Sequence, residues 1–152
     1  MIDREEVPAP GFTTSPWTPA GIATLHAVGH DERSALEAGL RAVLALAAPP
    51  PHTPLDTGRS APIHGEGDDL GSLFADLIQD LLGQIEYFGG SLLDIAVDGV
   101  LRREDRGYVG WGYTVGTLQA VSRGDVPRLL GTPTASESAT QGIVLHATLH
   151  RP

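Results

Sequence analysis

The sequence predicts a two-layer α+β sandwich, a mixed or antiparallel sheet of about five to six strands with two amphipathic helices laid across one face. Three observations lead there. Two stretches, Asp31 to Ala47 and Asp68 to Phe88, carry their apolar residues at helical spacing on one side. Several shorter stretches alternate apolar and polar residues with the period of a strand. The chain has 152 residues, 41% of them apolar, which is the size of one domain able to bury its own core.

Taken in order, residues 1–15 mix charge, Pro and Thr without a period and read as an extended leading segment in which Gly11 to Thr14 can pair as a short strand. From Ile22 to Val28, Ile22, Thr24, His26 and Val28 share one face and Ala23, Leu25 and Ala27 the other, a strand ended by Gly29. Asp31 then caps a helix whose apolar stripe is Leu36, Leu40, Val43, Leu44 and Ala47. Arg33, Glu37 and Arg41 add opposite-charge pairs four residues apart, and Pro49 stops the helix. Residues 49–67 hold five of the twelve prolines and no period, which predicts a long loop. Asp68 and Asp69 supply the cap and the negative charge for the second helix. Its stripe runs through Leu70, Leu73, Phe74, Leu77, Ile78, Leu81, Leu82, Ile85 and Phe88 to a Gly89-Gly90 C-cap. Leu93, Ile95 and Val97 predict a strand, with Asp98-Gly99 as a hairpin turn. Tyr108 to Val121 predicts a longer strand with Val109, Trp111, Tyr113 and Val115 on one face; Gly110, Gly112 and Gly116 thin the other, as close packing requires. Arg123 to Gln141 reads as a loop, and Ile143, Leu145, Ala147 and Leu149 as a final strand; no internal repeat is evident.

Charge and composition remove several functions. Nineteen acidic against ten basic residues give a net charge of −9, which repels a phosphate backbone and argues against direct nucleic-acid binding. All ten basic residues are Arg, and Lys, Cys and Asn are absent. Without Lys there is no P-loop lysine or Schiff base, and without Cys no thiolate nucleophile, zinc cluster or disulfide. No apolar run approaches the roughly 20 residues of a membrane span, and Met1 to Pro8 is acidic, so a cytoplasmic protein is expected.

The remaining chemistry is sparse. No two of the six histidines, His26, His30, His52, His64, His146 and His150, stand at the spacing of a HExxH metal site. His146 and His150 share a strand face but are roughly 13 Å apart by strand rise, too far to chelate one ion. His52 and His64 lie near Glu66 and Asp68, a weak metal-ligating group beside which solvated or structural histidines are the simpler account. Asp68, Asp69, Asp76 and Asp80 read as a cap and a solvated face, or else as a docking surface for a basic protein. No Ser sits in a G-x-S-x-G elbow, so no catalytic constellation, enzyme activity or cofactor is indicated.

Two stretches and a third near the end resemble the archease family, small acidic cofactors of the RtcB-type RNA-splicing ligase that acts in tRNA splicing. The run Asp69-Leu70-Gly71-Ser72-Leu73-Phe74-Ala75-Asp76-Leu77-Ile78-Gln79-Asp80-Leu81-Leu82 follows the family's second helix, with Leu77 in place of an aromatic residue. Gly21-Ile22-Ala23 through Gly29, followed by Asp31 to Leu46, is similar to the family's opening strand and helix. Leu145-His146-Ala147-Thr148-Leu149-His150 is similar to its Lys-Ala-x-Thr-x-His strand. The departures fall on the functional positions. Pro19 stands where the family has a metal-binding Asp, Leu145 stands where it has Lys, and the terminal acidic ligand has no counterpart before Arg151-Pro152.

The resemblance therefore implies a non-catalytic accessory protein that assists an RNA ligase without the family's metal site. Its partner-binding tip would carry Trp17, Thr18, His146 and His150. Asp68, His64 and Asp94 are the remaining groups from which a metal site would have to be rebuilt. The alternative is a protein-binding or scaffold module of the same fold with no ligase partner.

Overall fold

The computed structural model describes residues 11–47, 57–88, 90–104, 107–120 and 126–151. Within them the chain runs β1 (Gly11–Thr14), β2 (Ile22–Gly29), α1 (Glu32–Ala47), β3 (Thr57–Gly67), α2 (Leu70–Phe88), β4 (Gly90–Arg103), β5 (Gly107–Ala120), β6 (Arg128–Leu129), β7 (Thr134–Ser138) and β8 (Gly142–His150). The architecture is the expected α+β sandwich, but its strand layer is two antiparallel sheets and not one. A five-stranded sheet has the order β1-β2-β8-β6 with β7 also paired to β8, and a three-stranded sheet has the order β3-β5-β4. Both helices contact strands of both sheets, so they form one layer across the pair.

Burial follows the apolar stripes. Leu40, Val43 and Leu44 of α1 and Leu73, Phe74, Leu77, Leu81 and Ile85 of α2 are all buried. They meet Leu25, Ala27, Leu145 and Leu149 from the five-stranded sheet and Ile63, Ile95 and Val97 from the three-stranded one in a single cluster.

The three-stranded sheet ends where it does because helix side chains take the place of further strands. Asp76, Asp80 and Gln84 lie along one stripe of α2. Asp76 accepts from the Glu66 N–H at 2.8 Å, Asp80 from the His64 N–H at 2.9 Å, and Gln84 donates to the Pro62 carbonyl at 2.7 Å. Pro62 has no N–H to satisfy, which suits it to an edge. On the other edge Glu37 accepts from the Val97 N–H at 3.0 Å and Arg33 donates to the Val97 carbonyl at 2.9 Å. Arg41 bridges Glu37 at 3.2 Å and Asp94 at 3.0 Å. Exposed strand edges invite pairing with other chains, and helix side chains occupy part of each edge here, residues 62–66 of β3 and Val97 of β4. Asp76 and Asp80 are thus strand caps, not the free docking face their exposure suggests.

Each helix begins in the same way. Gly29-x-Asp31-x-x-Ser34 and Gly67-x-Asp69-x-x-Ser72 are two copies of one junction. Asp31 accepts from the Ser34 N–H and Asp69 from the Ser72 N–H, both at 2.8 Å. These backbone bonds, with the Ser side chains second, hold both carboxyls below the ordinary Asp value of 3.8. Because the folded value is depressed, the caps stabilise the fold above pH 3.8 and lose their effect as pH falls through the lower folded value. Asp31→Ala is expected to cost about 1 kcal/mol at pH 7. Urea unfolding followed against pH should show the gap between variant and native protein closing in acid.

Four expected boundaries are revised. The predicted loop 49–67 contains β3; Ile63 is buried and Gly65 faces α2, so the strand's inward face carries little apolar signal. Asp98-Gly99 does not turn the chain. The β4 register shifts between Val97 and Gly99, an irregularity of the bulge type, and β4 continues to Arg103, with Gly107 at φ 78° opening β5. Gly90 opens β4 instead of capping α2. The predicted loop 123–141 contains β6 and β7, which are short and exposed. Residues 1–10 of the leading segment, residues 49–56 of the loop with His52, and Gly89 lie outside the described residues.

Candidate functional site

The hairpin joining β1 to β2 and the end of β8 build one tip of the five-stranded sheet. Thr18 starts a turn in which the Gly21 N–H donates to the Thr18 carbonyl at 2.8 Å and the Thr18 N–H to the Ile22 carbonyl at 2.9 Å. Pro19 takes the second position, where its fixed φ fits. Gly21 closes the turn at φ 78°, and a Cβ there would stand 2.2 Å from the Arg151 carbonyl oxygen. The Arg151 N–H donates to the Gly21 carbonyl at 2.7 Å, tying the last described residue to the hairpin.

Trp17 is half-buried and packs on the hydrophobic core. The Arg151 guanidinium lies 4.6 Å above its ring, a cation–π contact. Thr18 is exposed, and its Oγ1 accepts from the Ile22 N–H at 3.1 Å, so the side chain caps the turn. His150 pairs with Ile22 on one side and with Arg128 on the other. Trp17, Thr18, His150 and Arg151 therefore share one end of the sheet. His146 does not join them: it is further along β8, opposite His26.

The residues from which a metal site would have to be rebuilt are not brought together. His64 is on β3, Asp68 follows it at the start of α2, and Asp94 is on β4, the opposite edge of the three-stranded sheet, held by Arg41. Among the described residues no three His, Asp or Glu side chains are grouped to hold a metal ion.

Two surface features went unread in the sequence. The first is the cross-strand pair of His26 and His146, whose ring centres are 4.5 Å apart. The second is the outer face of the three-stranded sheet, where Leu101, Trp111 and Tyr113 are exposed. The alternation of Trp111 and Tyr113 was legible, but the side left open was not. Helix α2 takes the glycine side, where a Cβ on Gly110 would stand 3.3 Å from Leu73. Trp111 in turn lies across Gly99, where a Cβ would be 2.6 Å from the indole.

No protein-family model matches the chain, and no curated protein matches it in sequence. Among solved structures it is similar to the solution structure of Methanobacterium thermoautotrophicum protein 1598, at 16% sequence identity and a TM-score of 0.49, over 93% of this chain and 99% of that one. No helix among the described residues is long and apolar enough to cross a membrane.

Proposed function

We propose that this chain is a non-catalytic accessory protein that docks on a protein partner through the tip formed by the β1–β2 hairpin and the end of β8. An RNA-splicing ligase of the RtcB type is the partner we assign, on the strength of the archease resemblance. The observation that carries the reading is the union of Trp17, Thr18, His150 and Arg151 at one end of the sheet, an aromatic and basic cluster on a chain of net charge −9. Aromatic and Arg side chains are frequent anchors of interface energy.

Trp17 also closes the core, so its removal tests two things at once. Trp17→Ala is expected to cost roughly 1–3 kcal/mol, and with it several degrees of Tm. Pro19→Arg, at an exposed turn position, separates docking from stability. The expected result is that the native chain stimulates a purified ligase from the same cell and that Pro19→Arg abolishes stimulation while Tm falls by only a few degrees, the loss of a well-placed turn proline. A native chain that neither binds nor stimulates the ligase overturns the assignment.

One observation favours a second reading, a scaffold module without a ligase partner. Leu101, Trp111 and Tyr113 leave large apolar side chains exposed on the three-stranded sheet, whereas the tip belongs to the five-stranded one. Under that reading Trp111→Ala, and not Pro19→Arg, removes partner binding.

A further inference from the structure

The outer face of the five-stranded sheet holds a second arrangement, independent of any ligase. Strand β2 lies directly beside β8, and His26 is opposite His146 in their register. The neighbouring bonds fix the type of this pair. The Thr24 N–H donates to Ser15 Oγ and its carbonyl accepts from the Ser15 N–H, so Thr24 turns its backbone groups toward β1. The Thr148 carbonyl accepts from the Leu130 N–H and so turns toward β6. Thr24 and Thr148 face each other without sharing a hydrogen bond, and His26 and His146, two residues along on each strand, repeat that relation. Non-hydrogen-bonded antiparallel pairs bring opposed side chains closest together. The rings accordingly stand with centres 4.5 Å apart and planes inclined at 58°.

Several features suit that pair to an ion. Metal–nitrogen bonds of about 2.0–2.1 Å place the centres of two imidazoles on one ion roughly 4.5–5.5 Å apart, the separation already present. Among the described residues neither ring makes an ion pair. The nearest positions on the same face are Thr13, Thr24, Val28, Thr134, Val144 and Thr148, with no carboxylate among them. Two imidazole nitrogens and no carboxylate disfavour hard cations such as Ca²⁺ and favour the borderline metals of imidazole chemistry.

We propose that His26 and His146 form a chelating pair for a borderline divalent transition metal, Zn²⁺ or Ni²⁺, on the outer face of the five-stranded sheet. Two protein ligands leave the other coordination positions to water or to a donor brought by a partner.

Calorimetric titration of the full chain with ZnCl₂ and with NiCl₂ at pH 7.5 tests this directly. One ion should bind per chain. His26→Gln and His146→Gln should each weaken binding tenfold or more, while His64→Gln and His150→Gln should stay within twofold and CaCl₂ should give no saturable heat. Long-range ¹H–¹⁵N spectra of the native protein need no variant, and in them the ring signals of His26 and His146 should move together on addition of Zn²⁺ while those of His64 and His150 stay. Absence of saturable binding for both ions overturns the proposal. So does binding that survives in the His26→Gln/His146→Gln double variant, or a Zn²⁺ response confined to other histidines.

Discussion

Leu77→Ala is expected to lower the stability of the protein by about 4–5 kcal/mol, the upper part of the range for buried leucines. The reason is the floor beneath it. Leu77 is fully buried, and it rests on two glycines: a Cβ on Gly65 would stand 2.9 Å from its Cγ, and one on Gly110 3.5 Å from its Cδ1. The cost of a truncation depends on how far neighbours collapse into the space. Here the neighbours on one side are strand backbone, which has no side chain to offer. Urea denaturation monitored by far-UV circular dichroism gives the number. A loss below about 1 kcal/mol would show that α2 does not seat on β3 and β5 as described. The Gly65→Ala/Leu77→Ala double variant should recover part of the loss, because the new methyl enters the vacated volume.

The second large effect is expected at the junction of strand and helix. Gly67→Ala would put a methyl 2.3 Å from the Leu73 nitrogen and 2.6 Å from the Ser72 carbonyl carbon. Overpacking usually costs about 1–3 kcal/mol when side chains can rotate away. This neighbour is the first turn of α2, so relief requires the helix to lift from the sheet, and the loss should reach 3 kcal/mol or more. Gly29→Ala should behave alike, since its Cβ would lie 2.2 Å from the Ala35 nitrogen at the start of α1. Amide exchange at the start of each helix reads the effect locally. Unchanged protection in both variants would mean that the helices are not held by this contact.

The helices were legible because an apolar stripe is written along one continuous segment. The strands were legible only where burial needs large side chains. In β8, Ile143, Leu145 and Leu149 announce the inward face. In β3 the inward position Gly65 must be empty for Leu77 to fit, so the residue that matters most has no hydropathy signal. Asp76 and Asp80 were misread for a related reason. Their bonds to the backbone of β3 cannot be anticipated until β3 is known to be an edge strand. The approach of the Trp17 turn to the end of β8 was expected from the archease resemblance alone and included His146, which lies elsewhere; the contact of Trp17 with Arg151 joins distant parts of the sequence, and nothing local foretells it. His26 and His146 are hidden in the same way, since neither has a partner until β2 and β8 are placed side by side.

That last pairing sets the order in which the molecule can assemble during translation. Strands β3, β4 and β5 with α2 are contiguous in the chain and find their partners among one another as soon as β5 has emerged. Strand β2, although made far earlier, has its central neighbour in β8, with Ile22 waiting for His150. Until then one edge of β2 lacks its partner strand, a long-range pairing of the kind that slows folding and leaves a strand edge open to misassociation. The nascent protein should therefore be a half-built molecule with a finished three-stranded sheet and an unfinished five-stranded one.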